Sequence, residues 1–442
     1  MRTPVLTLAS ALAAGLTHPA LADLPLEWDL RVAARSSETT GFNLPAGATL
    51  QAADLADDGA IAMIFATADP PARGLWIGNG DGGAVVWSAA DLGSASAPAI
   101  NQSAVVFTVG SRDAASLLRV DRADGSLSVL LNAQAADIVP ASLAAANPSL
   151  AATGLTGVRV ERLDGTIAWL AIENEQSLEL AVAGPELVNL DTSVGSAALG
   201  GVGGRVELAN GGQQIRRYDL PDFFILLAED VGARTGSPLQ SIDSRVDFDA
   251  TGRAAFVSTR VDGIQSVRLS NGTLDFDVAD VNRTNIQSLD AGDTVRPGVA
   301  PTTRRVVFSG TDETGVQTAF LADGTDVVVI AHVGDPVAAD VEGAFIGSIQ
   351  PNLNINDLDQ TSFIVELVDA DGASLGQALL VAEPVADPPG IVGDLDGDGD
   401  VDFSDLLGVL STWGTDDPVA DLSGNGTVDF ADLLLLLSEW TG

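Results

Sequence analysis

Apolar and polar residues alternate along most of this chain, in short runs separated by turn-forming pairs. Leu117-Leu118-Arg119-Val120 and Leu127-Ser128-Val129-Leu130-Leu131, for example, flank Asp124-Gly125. A period of two sends successive side chains to opposite faces, so these runs predict strands. The pairs between them tolerate positive φ at both centres of a type I′ turn and predict tight hairpins. They fall at Asn79-Gly80 or Asp81-Gly82, then at Asp124-Gly125, Asp164-Gly165, Asn210-Gly211, Asn271-Gly272 and Asp323-Gly324.

Each hairpin follows a phrase of the form P-x-x-N-x-x-G-x-x-A-F, which reads as a turn entering a buried strand. The clearest copies run from Phe248 to Phe256 and from Asn354 to Phe363. Others run from Leu55 to Met63, Pro98 to Phe107 and Pro301 to Phe308, with degraded copies starting near Asn147 and Asn189. Phrase plus hairpin makes seven units, each worth about four short strands. Such units suit the blades of a β-propeller, in which radial closure protects the sheet edges. A stacked β-solenoid or two β-sandwiches are the alternatives. The last unit, ending at Leu379-Leu380-Val381, shows no such turn and lacks its final strand. An N-terminal strand around Leu26 to Val32 would complete it and close the ring.

The phrase resembles that of secreted bacterial proteins with tandem N-x-x-G-x-x-x-A-F repeats and varied C-terminal anchors, the choice-of-anchor type. The resemblance covers about Leu50 to Pro384. Some copies lack the Asn (Ala56, Pro301) or the Gly (Arg304, Asp359). It implies a repeat body with a swappable tail and says little about activity.

The pattern changes after Pro388-Pro389-Gly390. Two 12-residue loops follow, Asp394 to Asp405 and Asp421 to Asp432, each leading into an apolar stretch. In a calcium loop, oxygen ligands stand at positions 1, 3, 5, 7, 9 and 12, and a Gly at position 6 makes the sharp turn. Those places hold Asp394, Asp396, Asp398, Asp400, Asp402 and Asp405 in the first loop. In the second they hold Asp421, Ser423, Asn425, Thr427, Asp429 and Asp432; the glycines are Gly399 and Gly426. Two loops in one register predict two calcium ions.

The stretches after the loops predict helices. Phe403, Leu406, Leu410 and Trp413 match Phe430, Leu433, Leu437 and Trp440, and this spacing predicts two apolar stripes buried against each other. A loop with only an exiting helix, repeated, resembles the type I dockerin, the module by which secreted bacterial enzymes dock onto cohesins. That resemblance covers about Ile391 to Gly442 and implies a cohesin-like or other extracellular protein partner. One departure bears on it. The family carries small polar residues at loop positions 10 and 11, where this chain has Phe403-Ser404 and Phe430-Ala431.

Composition narrows the classes. A net charge of −40 leaves no basic face for nucleic acid or anionic membrane. All 21 basic residues are arginine. With no cysteine there is neither a disulfide framework nor a lipid-attachment site. Arg2, the apolar stretch Pro4 to Leu16 and Ala20-Leu21-Ala22 form a signal peptide cleaved after Ala22, so the protein is expected outside the cell or at its surface. No stretch is long and apolar enough for membrane insertion as a helix.

Nucleophilic catalysis of the Ser-His or Cys-His type has little to work with, since His332 is the one histidine beyond the signal peptide. Propeller glycosidases use paired carboxylates, but Asp57-Asp58 and Glu229-Asp230 are candidates only as any acidic loop is, and turn formation or a solvated surface explains them. Tyr218, within Arg216-Arg217-Tyr218-Asp219, is the single tyrosine, and Arg–Asp pairing explains that cluster. No catalytic residue is singled out.

The expected organisation is therefore a signal peptide (1–22), an all-β body (23–383), a Pro-rich linker (384–390) and a small α-helical dockerin-like domain (391–442). The expected function is binding or display by the body with attachment by the tail. The alternatives are a propeller glycoside hydrolase or lyase carrying a dockerin, and a structural component of a cell envelope or matrix.

Overall fold

The computed structural model describes residues 24–25, 27–36, 44–45, 47–79, 82–90, 93–111, 113–173, 176–191, 194–196, 201–220, 223–282, 285–292, 295–337, 341–385, 393, 395, 401, 403–415, 417 and 419–440. The signal peptide expected at 1–22 lies outside these. The chain forms two compact units, one holding Leu30–Glu383 and the other Pro25–Asp29 with Pro384–Gly442.

The larger unit is a seven-bladed β-propeller, neither a solenoid nor a sandwich. Its first blade consists of the strands Thr49–Leu55, Ile61–Ala68, Pro71–Asn79 and Gly82–Ala90, hydrogen-bonded in that order. Blades two to six repeat the order within 94–132, 149–182, 187–229, 239–280 and 288–332. The seventh takes Phe345–Ile349, Asn354–Ile355, Thr361–Val368 and Ser374–Pro384, and its outermost strand is Trp28–Arg35 from the other end of the chain. The expected closure thus occurs.

The core lies between blades. Second strands are covered on both faces, which is why Ala104–Gly110 is buried throughout and reads as a continuous apolar run. At the seam, Ile364 and Leu379 of the last blade and Ala33 of the N-terminal strand pack on Ile61, Met63 and Trp76 of the first. Trp87 meets Phe107 edge to face at 5.0 Å, joining the first blade to the second.

The turn pairs occupy two different hairpins, a distinction the sequence pattern had merged. Asp124-Gly125, Asn271-Gly272 and Asp323-Gly324 join third strands to fourth, whereas Asp164-Gly165 and Asn210-Gly211 join second to third. Asp371-Gly372, overlooked in the last unit, joins second to third there. The copy expected near Asn189 is also displaced. Asn189 lies within the strand Leu187–Leu190, and the innermost segment facing the second strand is Gly195–Ser196.

The repeated phrase itself is a hydrogen-bonded turn between the first and second strands. At its head stand Ala56, Asn101, Ala151, Asp249 and Asn356, whose N–H groups bond the carbonyls of Ala60, Ala104, Leu155, Arg253 and Gln360. The phrase's Gly position takes left-handed backbone at Gly59, Gly154 and Gly252, and keeps it at Arg304 (φ 65°) and Asp359 (φ 60°). A single helical turn, α1 (Pro140–Ala144), precedes the third blade.

In the smaller unit, α2 (Phe403–Ser411) and α3 (Phe430–Ser438) are the expected helices. Their buried face is not the expected one. The core is Val401, Val409, Ala420, Val428 and Leu436, with Leu395, Leu406 and Leu422 half-buried against it. Phe403, Leu410, Trp413, Phe430, Leu437 and Trp440 are exposed. The reason is electrostatic. Asp405 and Asp432 are fully buried in their loops, which fixes the rotation of each helix and turns the residues one and four places later inward. The apolar loop positions Val401 and Val428 then supply core that the helical stripe alone did not reveal.

Candidate functional site

The second calcium-type loop is described throughout. Asp421 Oδ2 accepts the Gly426 N–H at 2.7 Å and its Oδ1 accepts that of Asn425 at 3.1 Å, so the loop wraps around its first residue. Gly426 provides the positive φ (88°) for that turn. Asp432 Oδ1 accepts the Ser423 N–H at 2.8 Å and Oδ2 that of Asp429 at 2.7 Å, while Asp429 caps α3 through the Ala431 N–H. Although burial pushes the Asp432 pKa up, the N–H groups of Asp429 and Ser423 outweigh it and hold the carboxyl below its ordinary range. Asn425 Nδ2 reaches Asp429 Oδ2 at 3.5 Å.

In the first loop, Asp405 Oδ1 accepts the Leu395 N–H at 2.6 Å. Asp394, Asp396, Asp398, Asp400 and Asp402 lie outside the described residues. Among the described residues no three acidic or imidazole side chains converge on one point. The donors of the second loop are nevertheless all hard oxygens from Asp421, Ser423, Asn425, Thr427, Asp429 and Asp432. Each bonded carboxylate oxygen keeps a second lone pair, so this set fits calcium.

The propeller carries a second candidate, on its axis. Every blade contributes to the lining of a cavity of about 80 Å³, blades one to seven supplying among others Ala52, Ala97, Asn147, Val194, Arg245, Arg296 and Asn352 in turn. Arg296 is its centre of charge. It lies 3.5 Å from Asp247 and 4.0 Å from Asp54, and donates to Asn354 Oδ1 at 3.1 Å. Asp54 and Asp247 occupy the same place, two residues before the phrase's turn, and each accepts an N–H from the next blade: Ile100 at 2.9 Å and Val299 at 3.1 Å. Desolvation raises the Asp54 pKa to about 6, against the opposing pull of Arg296. Sequence reading missed this cluster because its members come from blades one, five, six and seven. Aligning the phrases two residues upstream of the turn would have found the two acids.

The weaker sequence candidates are engaged in local pairs and packing. Asp58 pairs with Arg122 at 2.9 Å, Glu229 with Arg234 at 2.6 Å, and Asp230 accepts the Gln213 and Ala233 N–H groups. Tyr218 is buried edge-on against Trp169, and Arg217 pairs with Asp219 at 2.9 Å. His332, at a strand end, lies 3.5 Å from Asp312 and 3.8 Å from Asp335. Among the described residues no helix is long and apolar enough to cross a membrane.

By sequence, no family matches this chain, nor does any curated protein. By fold it is similar to an oligogalacturonate lyase solved in complex with manganese, at 12% identity and a TM-score of 0.51, covering 82% of this chain and 97% of that one. It is also similar to a puromycin-hydrolyzing peptidase of Mycobacterium tuberculosis (12%, 0.48, 80% and 55%) and to TolB from Acinetobacter baumannii (17%, 0.41, 61% and 62%). The chain thus spans about half the length of the peptidase and three-fifths of TolB. At these identities the likeness to the lyase establishes the propeller fold alone.

Proposed function

We propose that this is a secreted calcium-binding protein in which a propeller that binds or displays a ligand is attached by a dockerin-like tail to an extracellular partner, cohesin-like or otherwise. One observation carries the reading. Phe403, Leu407, Leu410 and Trp413 on one half of the tail, and Phe430, Leu434, Leu437 and Trp440 on the other, stand 36–62% exposed in matching order. Exposed apolar surface of this extent marks interaction sites. Its duplication gives the tail two equivalent faces, each placed by a loop whose twelfth residue is buried. Phe403 and Phe430 put an aromatic ring where cohesin-binding modules carry small polar residues, so the partner surface must be apolar at that point.

Calcium would be held by Asp394, Asp396, Asp398, Asp400, Asp402 and Asp405, and by Asp421, Ser423, Asn425, Thr427, Asp429 and Asp432. Bound there, it would couple the loops to helix packing, making binding energy folding energy. Calorimetric titration of calcium into the chelator-stripped full chain, followed by circular dichroism, tests this. Two bound ions with a gain of helix support the reading; no heat and no change in helix defeat it.

A second reading, a propeller glycoside hydrolase or lyase carrying the same tail, is favoured by the gathering of Asp54, Asp247 and Arg296 on the axis. The adjoining cavity of about 80 Å³ has room for water or a small ion, not for a sugar ring. Polysaccharide cleavage that disappears in Asp247→Asn would favour the enzyme over the binding protein.

A further inference from the structure

Arginine is unevenly spread over this acidic chain. Arg159 of the third blade, Arg205 of the fourth and Arg245 of the fifth line one pocket of about 240 Å³, with Asp191 and Glu207 as its acids. The pocket carries more positive than negative side chains in a protein with 21 basic and 61 acidic residues.

Strand register makes the placement specific. Two residues beyond the pairing partner of each blade's innermost segment, the second strand holds Ile64, Thr108, Val257, Ser309 and Ile364 in blades one, two, five, six and seven. At the same register, blades three and four hold Arg159 and Arg205. The five other residues are buried and uncharged. Two adjacent blades therefore break the repeat with the same residue, and both guanidinium groups face the same space. A packing requirement shared by all blades would not produce that.

Two of the arginines, Arg159 and Arg205, are also held in place by neutral groups. Arg159 Nε donates to the Leu190 carbonyl at 3.1 Å and its Nη1 to the Ser142 hydroxyl at 3.3 Å. Arg205 Nη1 donates to the Ile242 carbonyl at 3.3 Å. Such bonds orient a guanidinium without cancelling its charge; Asp191, 3.6 Å from Arg205 Nε, offsets that charge in part, and the charges of Glu161 and Asp191 also act on Arg159. Arg245 borders both this pocket and the axial cavity.

We propose that this pocket binds a small oxyanion-bearing ligand, a carboxylate or a sulfate group. Oriented guanidinium forks match the paired oxygens of such groups. The volume, somewhat below the roughly 300 Å³ at which drug-sized pockets begin, suits a free anion or one acidic sugar. This supplies a ligand class for the propeller and does not depend on the tail.

The test is calorimetry on the full chain at low ionic strength and constant calcium, with sodium sulfate, sodium glucuronate and neutral glucose. At least one anion should bind saturably with a Kd of about 1 mM or tighter, and glucose should not. Which anion binds decides between sulfate and carboxylate. Arg159→Gln should weaken binding at least tenfold, and Arg159→Lys less. Glu207→Gln, which removes an exposed acid from the rim, should tighten binding about two- to threefold and keeps the test open if Arg159→Gln does not fold. Absence of saturable anion binding to the native chain, equal binding of glucose, or unchanged affinity in a folded Arg159→Gln overturns the proposal.

Discussion

The side-chain amide of Asn356 donates to the carbonyl oxygen of Ala56, 3.3 Å away, across the seam where the last blade meets the first. Asn101 does the same between blades two and three, donating to Ala151 at 2.8 Å. In both, Oδ1 faces back and accepts N–H groups of its own turn, from Leu358 and Gln360 in one and from Ser103 and Ala104 in the other. The phrase's Asn is therefore a two-sided staple, one side shaping the turn and the other holding the next blade. Asp249, with no N–H to give, shapes its turn alone, and there the Ala250 backbone N–H reaches Pro301 instead.

Replacing Asn356 by Ala leaves buried N–H and carbonyl groups without partners at the closure. We expect a loss of about 1–3 kcal/mol in urea unfolding. A loss no larger than that of an exposed control substitution would show that the seam relies on apolar packing alone.

Arg304 and Asp359 hold left-handed backbone where other copies have Gly. A side chain there costs about 1–2 kcal/mol, and the extra chain entropy of Gly offsets roughly half of that. Arg304→Gly should stabilise the propeller by about 0.5–1 kcal/mol, read as a rise in Tm.

The Asp54 carboxyl, raised to about 6 by burial, makes the folded state bind its proton more tightly than the unfolded chain does. Its charge therefore costs stability as pH rises from about 4 through 6, on the order of 2–3 kcal/mol once complete. Asp54→Asn, which keeps an acceptor for the Ile100 N–H, should gain on the native protein over that window. Denaturation midpoints at pH 4.5 and 7.5 measure it; an equal difference at both refutes the assignment.

The rotation of the tail helices predicts opposite results for neighbouring leucines. Leu436→Ala, in the core, should cost about 2–5 kcal/mol of tail stability. Leu437→Ala, exposed, should stay within about 0.5 kcal/mol. Leu437→Ala should instead weaken capture of whatever partner the tail binds.

Chelation should remove the tail's helical signal and leave the propeller folded. Asp432→Ala should have the same effect on the second half, since it removes both a calcium ligand and the acceptor of the Ser423 and Asp429 N–H groups. A tail that keeps its helix in chelator sinks the calcium reading.

Much of this molecule was written in local pattern. Period-two runs, Asp-Gly and Asn-Gly pairs and the recurring phrase specify strands and turns because each depends only on residues a few places apart. Seven units, of which only the last lacked its final strand, even foretold the closure by Trp28–Arg35. The donor order of the calcium-type loops is equally local. Tertiary structure alone decided which blades touch, and with that the meeting of Asp54, Asp247 and Arg296 on the axis and of Arg159 with Arg205 and Arg245. These residues are dozens to hundreds of positions apart, and only ring closure brings them together. It also decided which face of each tail helix is buried. Periodicity named a stripe, but the buried carboxylates of Asp405 and Asp432 fixed the rotation, because the loop turns each acid inward and the helix must follow it.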